Sequence, residues 1–333
     1  MSKLIDRFGR VHDYLRISVT DQCNLRCLYC MPEEGMEFMD KSKLMTAEEL
    51  HAIVTVAAKL GIRKIRITGG EPLVRKDIVD IVRSVASVPG IEDVSLTTNG
   101  LFLAPKAEEL RAAGLRRVNI SLDTLDSEKF VKIARRGDLT KVMDGIRAAS
   151  RAGLAPIKLN CVLLKGLNES EIADFLQMSI DEPLHIRFIE YMPIGHADEG
   201  WRSLYLPLTK VMEIADRMPL DYAPLADMKG NGPSEDWQFR GAKGSFGLIH
   251  PISDRFCANC NRLRLTADGH LKPCLYWVDE LNVKPFAYDE EALTQLFYKA
   301  MNIKPENHEM AEKLSGEVLT HVPTDRRMSQ IGG

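Results

Sequence analysis

Apolar and polar residues alternate along the first two-thirds of the chain in two rhythms. Short runs rich in β-branched residues recur at 15–20 (LRISVT), 64–68 (KIRIT), 93–98 (DVSLTT), 117–122 (RVNISL), 157–164 (IKLNCVLL) and 185–192 (HIRFIEYM). Their length and composition predict strands. Between them lie stretches with apolar residues three and four apart: 50–61 (LHAIVTVAAKLG), 78–87 (IVDIVRSVAS), 107–114 (AEELRAAG), 141–153 (KVMDGIRAASRAG) and 169–179 (ESEIADFLQMS). That spacing gathers apolar side chains on one face of a helix. Thr46 and Glu49 form a capping box for the first of these helices, and Gly61 supplies its stop. Six strand–helix units predict a parallel sheet joined by right-handed crossovers. Periodicity alone fits a partly closed barrel and an open doubly wound sheet equally well. Asn99, Ser121, Asp123, Asn160 and Glu190 fall on or just after strand C-terminal ends, the edge at which parallel α/β folds bind ligands.

After about residue 192 the rhythm stops. Gly and Pro become denser between 207 and 247, and KGNGPSED is a clear loop. Residues 244–276 predict short strands and turns that carry cysteines. One more helix is predicted over 290–301 (EEALTQLFYKAM), before a polar, Pro-interrupted end that closes on Gly332 and Gly333. The pattern divides the chain into a repetitive core, 1–195, and a C-terminal region, 196–333.

Composition narrows the class. With 45% hydrophobic and 27% charged residues, the chain can bury a core without disulfide staples. A net charge of −3 offers no general basic field for nucleic acid. No run approaches the ~20 apolar residues of a membrane helix, and MSKLIDRFGRVHDYL lacks the apolar stretch of an export signal. A cytoplasmic location, with no membrane partner, is therefore expected. Seven cysteines would leave one over in any disulfide framework. Six of them fall into two tight sets, which in a reducing compartment points to metal binding or chemistry. Cys161 stands apart on the fifth strand and is expected to be a small core residue.

Cys23, Cys27 and Cys30 (C-x3-C-x2-C) lie in the loop after the first predicted strand. Three thiolates can hold three irons of a 4Fe–4S cube and leave the fourth iron open. Zinc instead closes a tetrahedron with a fourth Cys or His, and no His lies near this loop in sequence. A zinc site completed from a distance and reduced structural cysteines are the alternatives. The run CNLRCLYC, with Tyr29 before its last cysteine, and Gly69-Gly70-Glu71-Pro72 after the second strand resemble the radical S-adenosylmethionine superfamily over residues 15 to 195. The resemblance implies a partial (β/α)6 TIM-type barrel. It implies a cluster whose open iron chelates the methionine amino and carboxylate groups, and cleavage to a 5′-deoxyadenosyl radical. It places Tyr29, Gly70, Ser121 and Met192 against S-adenosylmethionine, with Ser121 and Asp123 toward the ribose. Bare backbone at Gly69 and Gly70 suits close approach of a ligand.

Cys257, Cys260 and Cys274 (C-x2-C-x13-C) form the second set. Spacing alone fits zinc, with His250 or His270 as fourth ligand, as readily as it fits iron and sulfur. Arg262 and Arg264 follow directly and alternate onto one face of a strand. Paired guanidiniums match phosphate oxygens. Arg16, Arg66, Lys158 and Arg187, on four other strands, can join them. Buried cations are costly unless neutralised, so several facing inward predict a phosphate-rich ligand. Glu190 is a carboxylate able to pair with one of them.

The two cysteine sets together with TGGEPL, TTNG, RFIEYM and the terminal Gly-Gly resemble the GTP 3′,8-cyclase family of molybdenum cofactor biosynthesis from end to end. That resemblance implies a C-terminal iron–sulfur extension with a second 4Fe–4S cluster on Cys257, Cys260 and Cys274, whose open iron takes the guanine. It implies GTP contacts at Arg16, Arg66, Thr97, Lys158, Arg262, Leu263 and Arg264. The implied reaction takes the ribose 3′ hydrogen, attacks guanine C8, and yields (8S)-3′,8-cyclo-7,8-dihydroguanosine 5′-triphosphate. A homodimer, a reductant of flavodoxin or ferredoxin type and a downstream cyclic pyranopterin synthase are implied as partners. So is a tail whose Gly332 and Gly333 enter the active site. Two rivals stand beside this reading. One is another radical enzyme with an auxiliary cluster, such as a peptide-maturing one, which would carry more C-terminal cysteines. The other is a non-catalytic metal-binding module, against which TGGEP counts.

Overall fold

The computed structural model describes the chain except Met1, Ser2, 196–199, 226–231, Arg255, 316–318, Thr320, Gly333 and the side chains of Lys313 and Leu314. Six parallel strands follow the predicted rhythm: β1 (Tyr14–Ser18), β2 (Lys64–Thr68), β3 (Asp93–Thr98), β4 (Arg117–Ser121), β5 (Ile157–Leu163) and β6 (Leu184–Glu190). Each pairs with the next in order. Helices Ala47–Lys59, Ile78–Ala86, Ala107–Ala112, Leu139–Arg151 and Ile172–Asp181 make the crossovers. The first is capped as its sequence predicts. Thr46 N donates to Glu49 Oε2 at 2.8 Å, and Glu49 N to Thr46 Oγ1 at 3.2 Å.

A further helix, Ser127–Ala134, precedes Leu139–Arg151 in the β4–β5 connection and was not expected. Asp126 caps it by accepting from the amides of Glu128 and Lys129, and Phe130, Ile133 and Ala134 are its buried face. Its pattern is two turns long, too short to stand out from a loop.

Side-chain alternation sorts each strand between two surroundings. On β5, Ile157, Leu159, Cys161 and Leu163 belong to the hydrophobic core, whereas Asn160 and Val162 line a cavity on the opposite face. Cys161 is fully buried, as expected of a core residue.

The C-terminal half completes both edges of the same sheet. β7 (Tyr222–Pro224), β8 (Glu235–Phe239) and β9 (Ser245–Ile249) form a meander in which β9 joins β6 in parallel. At the far edge β10 (Arg262–Leu265) joins β1 in parallel, followed by antiparallel β11 (His270–Lys272) and β12 (Leu281–Asn282). The order β12-β11-β10-β1-β2-β3-β4-β5-β6-β9-β8-β7 does not close on itself. One cavity nevertheless touches Arg264 of β10, Arg16 of β1, Arg66 of β2, Thr97 of β3, Ser121 of β4, Asn160 of β5, Arg187 of β6 and Ile249 of β9. Consecutive strands can all reach one cavity only if the sheet curves around it. The fold is therefore a partial (β/α)6 barrel lengthened by one parallel strand at each edge. A closed eight-stranded barrel fills its centre with layers of branched side chains. Here the open ring leaves space, and polar or charged side chains such as Arg16, Arg66, Thr97, Asn160, Arg187 and Arg264 take many of its inward positions. No helix among the described residues is long and apolar enough to cross a membrane.

Candidate active site

The cavity has a volume of about 250 Å³, and Cys23, Cys27 and Cys30 line it. Their loop is fastened to the turn after β2. Gly70 N donates to Thr20 O at 2.7 Å and Glu71 N to Gln22 O at 2.8 Å. A Cβ at Gly70 would overlap the carbonyls of Asp21 and Gln22, and one at Gly69 would meet Thr20 O at 2.6 Å. The glycines expected to admit a ligand thus first admit the cysteine loop itself, although both also line the cavity. Glu71 is committed too. Its carboxylate accepts from Thr98 Oγ1 (2.8 Å), Asn99 N (2.6 Å) and Leu73 N (2.9 Å), and burial pushes it up to about 7 against those bonds. It ties the ends of β2 and β3 together.

Burial also pushes the thiols up, Cys23 to about 11, Cys30 to about 12 and Cys27 well above its ordinary value. Such thiols are poor free nucleophiles and give up their protons to a metal centre, which deprotonates its ligands. Tyr29 lies beside them. Its hydroxyl donates to Asp123 Oδ2 at 2.7 Å, and Val162 N donates to Oδ1 at 2.9 Å. Burial raises Asp123 to about 6 in spite of both bonds. Ser121 and Met192 line the same region.

The second cysteine set lies toward the opposite end of the strands. In the β1–β10 ladder Tyr14 pairs with Arg262, so Cys260, just before Arg262, sits by the N-terminal end of β1. Cys23–Cys30 follow its C-terminal end. β11 runs antiparallel to β10 with Lys272 opposite Arg264, which returns Cys274 to the same end as Cys260. The expectation that ligand chemistry gathers at the C-terminal edge therefore covers only half of the site. Burial pushes Cys257 up to about 11. Burial would raise Cys260 as well, but Lys304 and Arg262 hold it down to about 6. The imidazoles considered as zinc ligands are engaged elsewhere. His270 Nδ1 lies 3.2 Å from Asp268 Oδ2, and His250 Nδ1 lies 3.3 Å from Ser253 Oγ. Among the described residues, no three His, Cys, Asp or Glu side chains could hold a single metal ion.

Between the two sets the wall is cationic. Arg264, Arg16 and Arg66 stand in register across β10, β1 and β2. Arg187 faces them from β6, with Nη2 donating to Asn119 Oδ1 at 2.9 Å and Asn160 Oδ1 at 2.6 Å. Burial and the neighbouring cations push all of these down: Arg264 to about 10 beside Arg262, Arg187 to about 9 beside Arg66, and Arg16 well below its ordinary value beside Arg264. A guanidinium keeps its proton in a protein, so this crowding remains as repulsion until an anion relieves it. Lys158 is buried on the same face of β5 as Asn160 and Val162 without lining the cavity itself, and burial and Arg187 hold its ammonium down to about 7. Tyr14 Oη, Arg66 Nε, Thr97 Oγ1, Asn119 Nδ2 and Arg187 Nε are buried with no hydrogen-bond partner. Buried polar atoms are rarely left so, and this group points to a polar ligand.

Two expectations change. Among the described residues Glu190 pairs with no cation. It accepts from Ile252 N (2.8 Å), Ser253 N (3.0 Å), Ser253 Oγ (2.6 Å) and Tyr205 Oη (2.9 Å), and so pins the turn after β9. Leu263 alternates away from Arg262 and Arg264 into the hydrophobic core, so only its backbone is left to meet a ligand. Tyr14 went unnoticed in the sequence, although its place two residues before Arg16 puts it on the same face.

The tail enters the cavity. Met328 and Ser329, in the helical turn Met328–Ile331, line it beside Cys30. Gly332 O accepts from Arg264 Nη1 at 2.5 Å. Gly332 has φ +69°, and a Cβ there would overlap Thr68 Cγ2, so both conformation and space call for glycine. Gly333 lies outside the described residues. Upstream, Arg326 anchors the tail through Asp268 (2.9 Å) and Glu280 (2.7 Å).

Residues 17–179 match the Radical SAM superfamily family model, and residues 184–310 match Molybdenum Cofactor Synthesis C. Curated proteins named GTP 3′,8-cyclase are similar along their whole length. The one from Listeria monocytogenes is 57% identical over 100% of both chains, and the one from Moorella thermoacetica is 48% identical over 98% of this chain and 99% of its own. Among solved structures, Streptococcus suis SuiB bound to S-adenosylmethionine superposes with a TM-score of 0.61 at 16% identity, covering 84% of this chain and 65% of that one. The anSMEcpe protein with bound AdoMet gives 0.57 at 17% identity, covering 92% and 84%. At those identities the two structures speak to the fold alone. Identity above one half along the full chain goes further, and the chain belongs to the GTP 3′,8-cyclase family of radical S-adenosylmethionine enzymes.

Proposed function

We infer that the protein converts GTP to (8S)-3′,8-cyclo-7,8-dihydroguanosine 5′-triphosphate, the first step of molybdenum cofactor biosynthesis. The observation that carries this is a cavity lined by Cys23, Cys27 and Cys30 and by five arginines (16, 66, 187, 262 and 264), with the second cysteine set just outside its lining, by the N-terminal end of β1. The family carries a 4Fe–4S cluster and S-adenosylmethionine. Cys23, Cys27 and Cys30 would ligate that cluster, with Tyr29, Gly70, Ser121 and Met192 around the S-adenosylmethionine. When bound, they supply the one-electron cleavage whose organic radical takes hydrogen from the ribose.

Cys257, Cys260 and Cys274 would hold a second 4Fe–4S cluster at the guanine end. Zinc with Zn–S bonds near 2.3 Å would draw three thiolates to roughly 3.8 Å of one another. Membership of an iron–sulfur enzyme family supports the larger cluster. Arg16, Arg66, Thr97, Arg262 and Arg264 would take the triphosphate and ribose, together with Lys158 and the Leu263 backbone. The chain's own contribution is placement. Both ends of GTP are fixed so that the ribose 3′ hydrogen stands next to the reacting centre, and such positioning accounts for much of a catalytic barrier. The tail covers the cavity against water, and its Gly332 carbonyl orients Arg264. As partners we propose a second copy of the chain in a homodimer, a flavodoxin- or ferredoxin-type reductant and a cyclic pyranopterin synthase that consumes the product.

The test is anaerobic. Iron- and sulfide-reconstituted protein is reduced with S-adenosylmethionine and GTP, ATP or no nucleotide. GTP alone is expected to stimulate 5′-deoxyadenosine formation, and GTP deuterated at ribose C3′ is expected to pass its deuterium to that product. Cleavage indifferent to the nucleotide would refute GTP as substrate.

Lys158 adds a pH signature. Its free-state value of about 7 lies below the ordinary lysine value of 10.5, and a triphosphate would raise it. At pH 8 the free ammonium is mostly deprotonated, so GTP binding should take up close to one proton, and at pH 6 much less. Affinity should weaken as pH rises above 7. In the ligand-free protein the sign is opposite: the unfolded lysine binds the proton that the folded one does not, so stability rises with pH between about 7 and 10.5. Calorimetry in buffers of different ionisation enthalpy reads the uptake, and Lys158→Arg should abolish it. Undiminished uptake in that variant would remove Lys158 from the site.

A further inference from the structure

Two cations outside every motif grip the segments that carry the second cysteine set. Lys304 follows the helix Glu290–Ile303 and is 2% exposed. Its Nζ donates to Arg262 O at 3.0 Å and to Pro273 O. Pro273 immediately precedes Cys274, and Arg262 lies two residues beyond Cys260. Arg10 belongs to an N-terminal hairpin closed by the Ile5↔Val11 bridge. It donates to Cys257 O at 2.8 Å, Glu306 O at 2.7 Å and Pro305 O at 2.6 Å. Its Nε holds Asp6 Oδ2 at 2.6 Å, which also meets His12 Nε2 at 2.9 Å. Residues 304–306 therefore form a strap. Through Lys304 it joins the segments of Cys260 and Cys274, and through Arg10 it holds that of Cys257.

As a device for stability this arrangement is weak. A buried ammonium loses its hydration, and an apolar side chain of similar volume often serves the fold as well. Its place between ligand-bearing segments is better explained by what they bind, since outer-shell groups orient metal ligands and tune the metal centre. We propose that Lys304 and Arg10 are positioning residues of the second cysteine set, fixing its three ligand segments before the metal group arrives and offsetting the charge of the three thiolates. The inference rests on the reading of that set as a cluster site.

The test uses the full chain with Cys23, Cys27 and Cys30 replaced by serine, so that only the second set can load. Failure of this parent to bind iron as a 4Fe–4S cluster would refute the cluster reading itself, whatever Lys304 does. Given a loaded parent, Lys304→Met and Arg10→Met should each weaken iron retention against a chelator about tenfold and alter the electron paramagnetic resonance of the reduced cluster. Lys304→Arg should restore most of the retention. As a folding control, Lys304→Met in a chain with Cys257, Cys260 and Cys274 replaced by serine should load the first set normally. Parent-like retention and an unchanged spectrum in Lys304→Met would overturn the proposal, as would equal loss of iron from both sets.

Discussion

Replacing Cys27 by serine is expected to abolish 5′-deoxyadenosine formation, whereas replacing Cys257 is expected to abolish cyclisation and leave slow, uncoupled cleavage of S-adenosylmethionine. The two sets share no ligand, and the length of β1 separates them. Four residue steps of strand span about 13 Å, which lets one centre form without the other. Cys27 is the most central thiol of its set, with Cys23 and Cys30 both among its electrostatic neighbours. A serine hydroxyl there would be a buried, weak ligand. Loss of the second set would leave the first chemistry intact but remove the proposed anchor for guanine, so productive placement should fall by on the order of 10³-fold or more. Anaerobic quantification of 5′-deoxyadenosine and of cyclised nucleotide from the two variants separates these outcomes. Deoxyadenosine from Cys27→Ser would move the cleavage site elsewhere, and undiminished cyclisation by Cys257→Ser would remove the second set from the reaction.

The second large effect is electrostatic. Arg66→Met and Arg264→Ala should each weaken GTP binding by roughly 10- to 100-fold, the worth of one or two charge-assisted hydrogen bonds, while guanosine binding changes little. Arg66→Met should at the same time stabilise the ligand-free protein by about 1 kcal/mol. Burial together with Arg117 and Arg262 pushes the Arg66 guanidinium down, with the Tyr14 ring, 5.5 Å away, as partial compensation. Its Nε has no hydrogen-bond partner. Arg264→Ala should show no such gain, because it also loses the bond to Gly332. Thermal melts with and without nucleotide, and calorimetry with GTP and guanosine, read both predictions. Equal losses for the two ligands would sink the triphosphate role, and a destabilised Arg66→Met would reveal a partner within the protein.

What the sequence disclosed was local. The Thr46–Glu49 cap, the alternation of Arg262 and Arg264, and the six strand runs each depend on neighbours a few residues apart, and each matches the structure. What it hid depends on pairings across the chain. No local signal says that Arg262 will lie beside Tyr14 or Ser245 beside His185, and those two pairings set the second cysteine set by the N-terminal end of β1 and extend both barrel edges. Glu190 misled for the same reason. A carboxylate among cations reads as their partner, but its actual partners come from a turn some 60 residues later. Gly69 and Gly70 were identified as sites of close approach, yet the approaching group is the cysteine loop's own backbone.

The edge strands also set an order of events during translation. β1 is made before every other strand of the sheet, but its outer neighbour β10 begins only at Arg262, and β6 must wait for β9. At about 5–20 residues per second, β1 carries an open row of amides and carbonyls for roughly ten to fifty seconds. During that time the nascent chain is vulnerable to pairing with its own copies. The two cysteine loops mature on different clocks as well. Cys23, Cys27 and Cys30 leave the ribosome well before the second set, which cannot be gripped until Lys304 emerges.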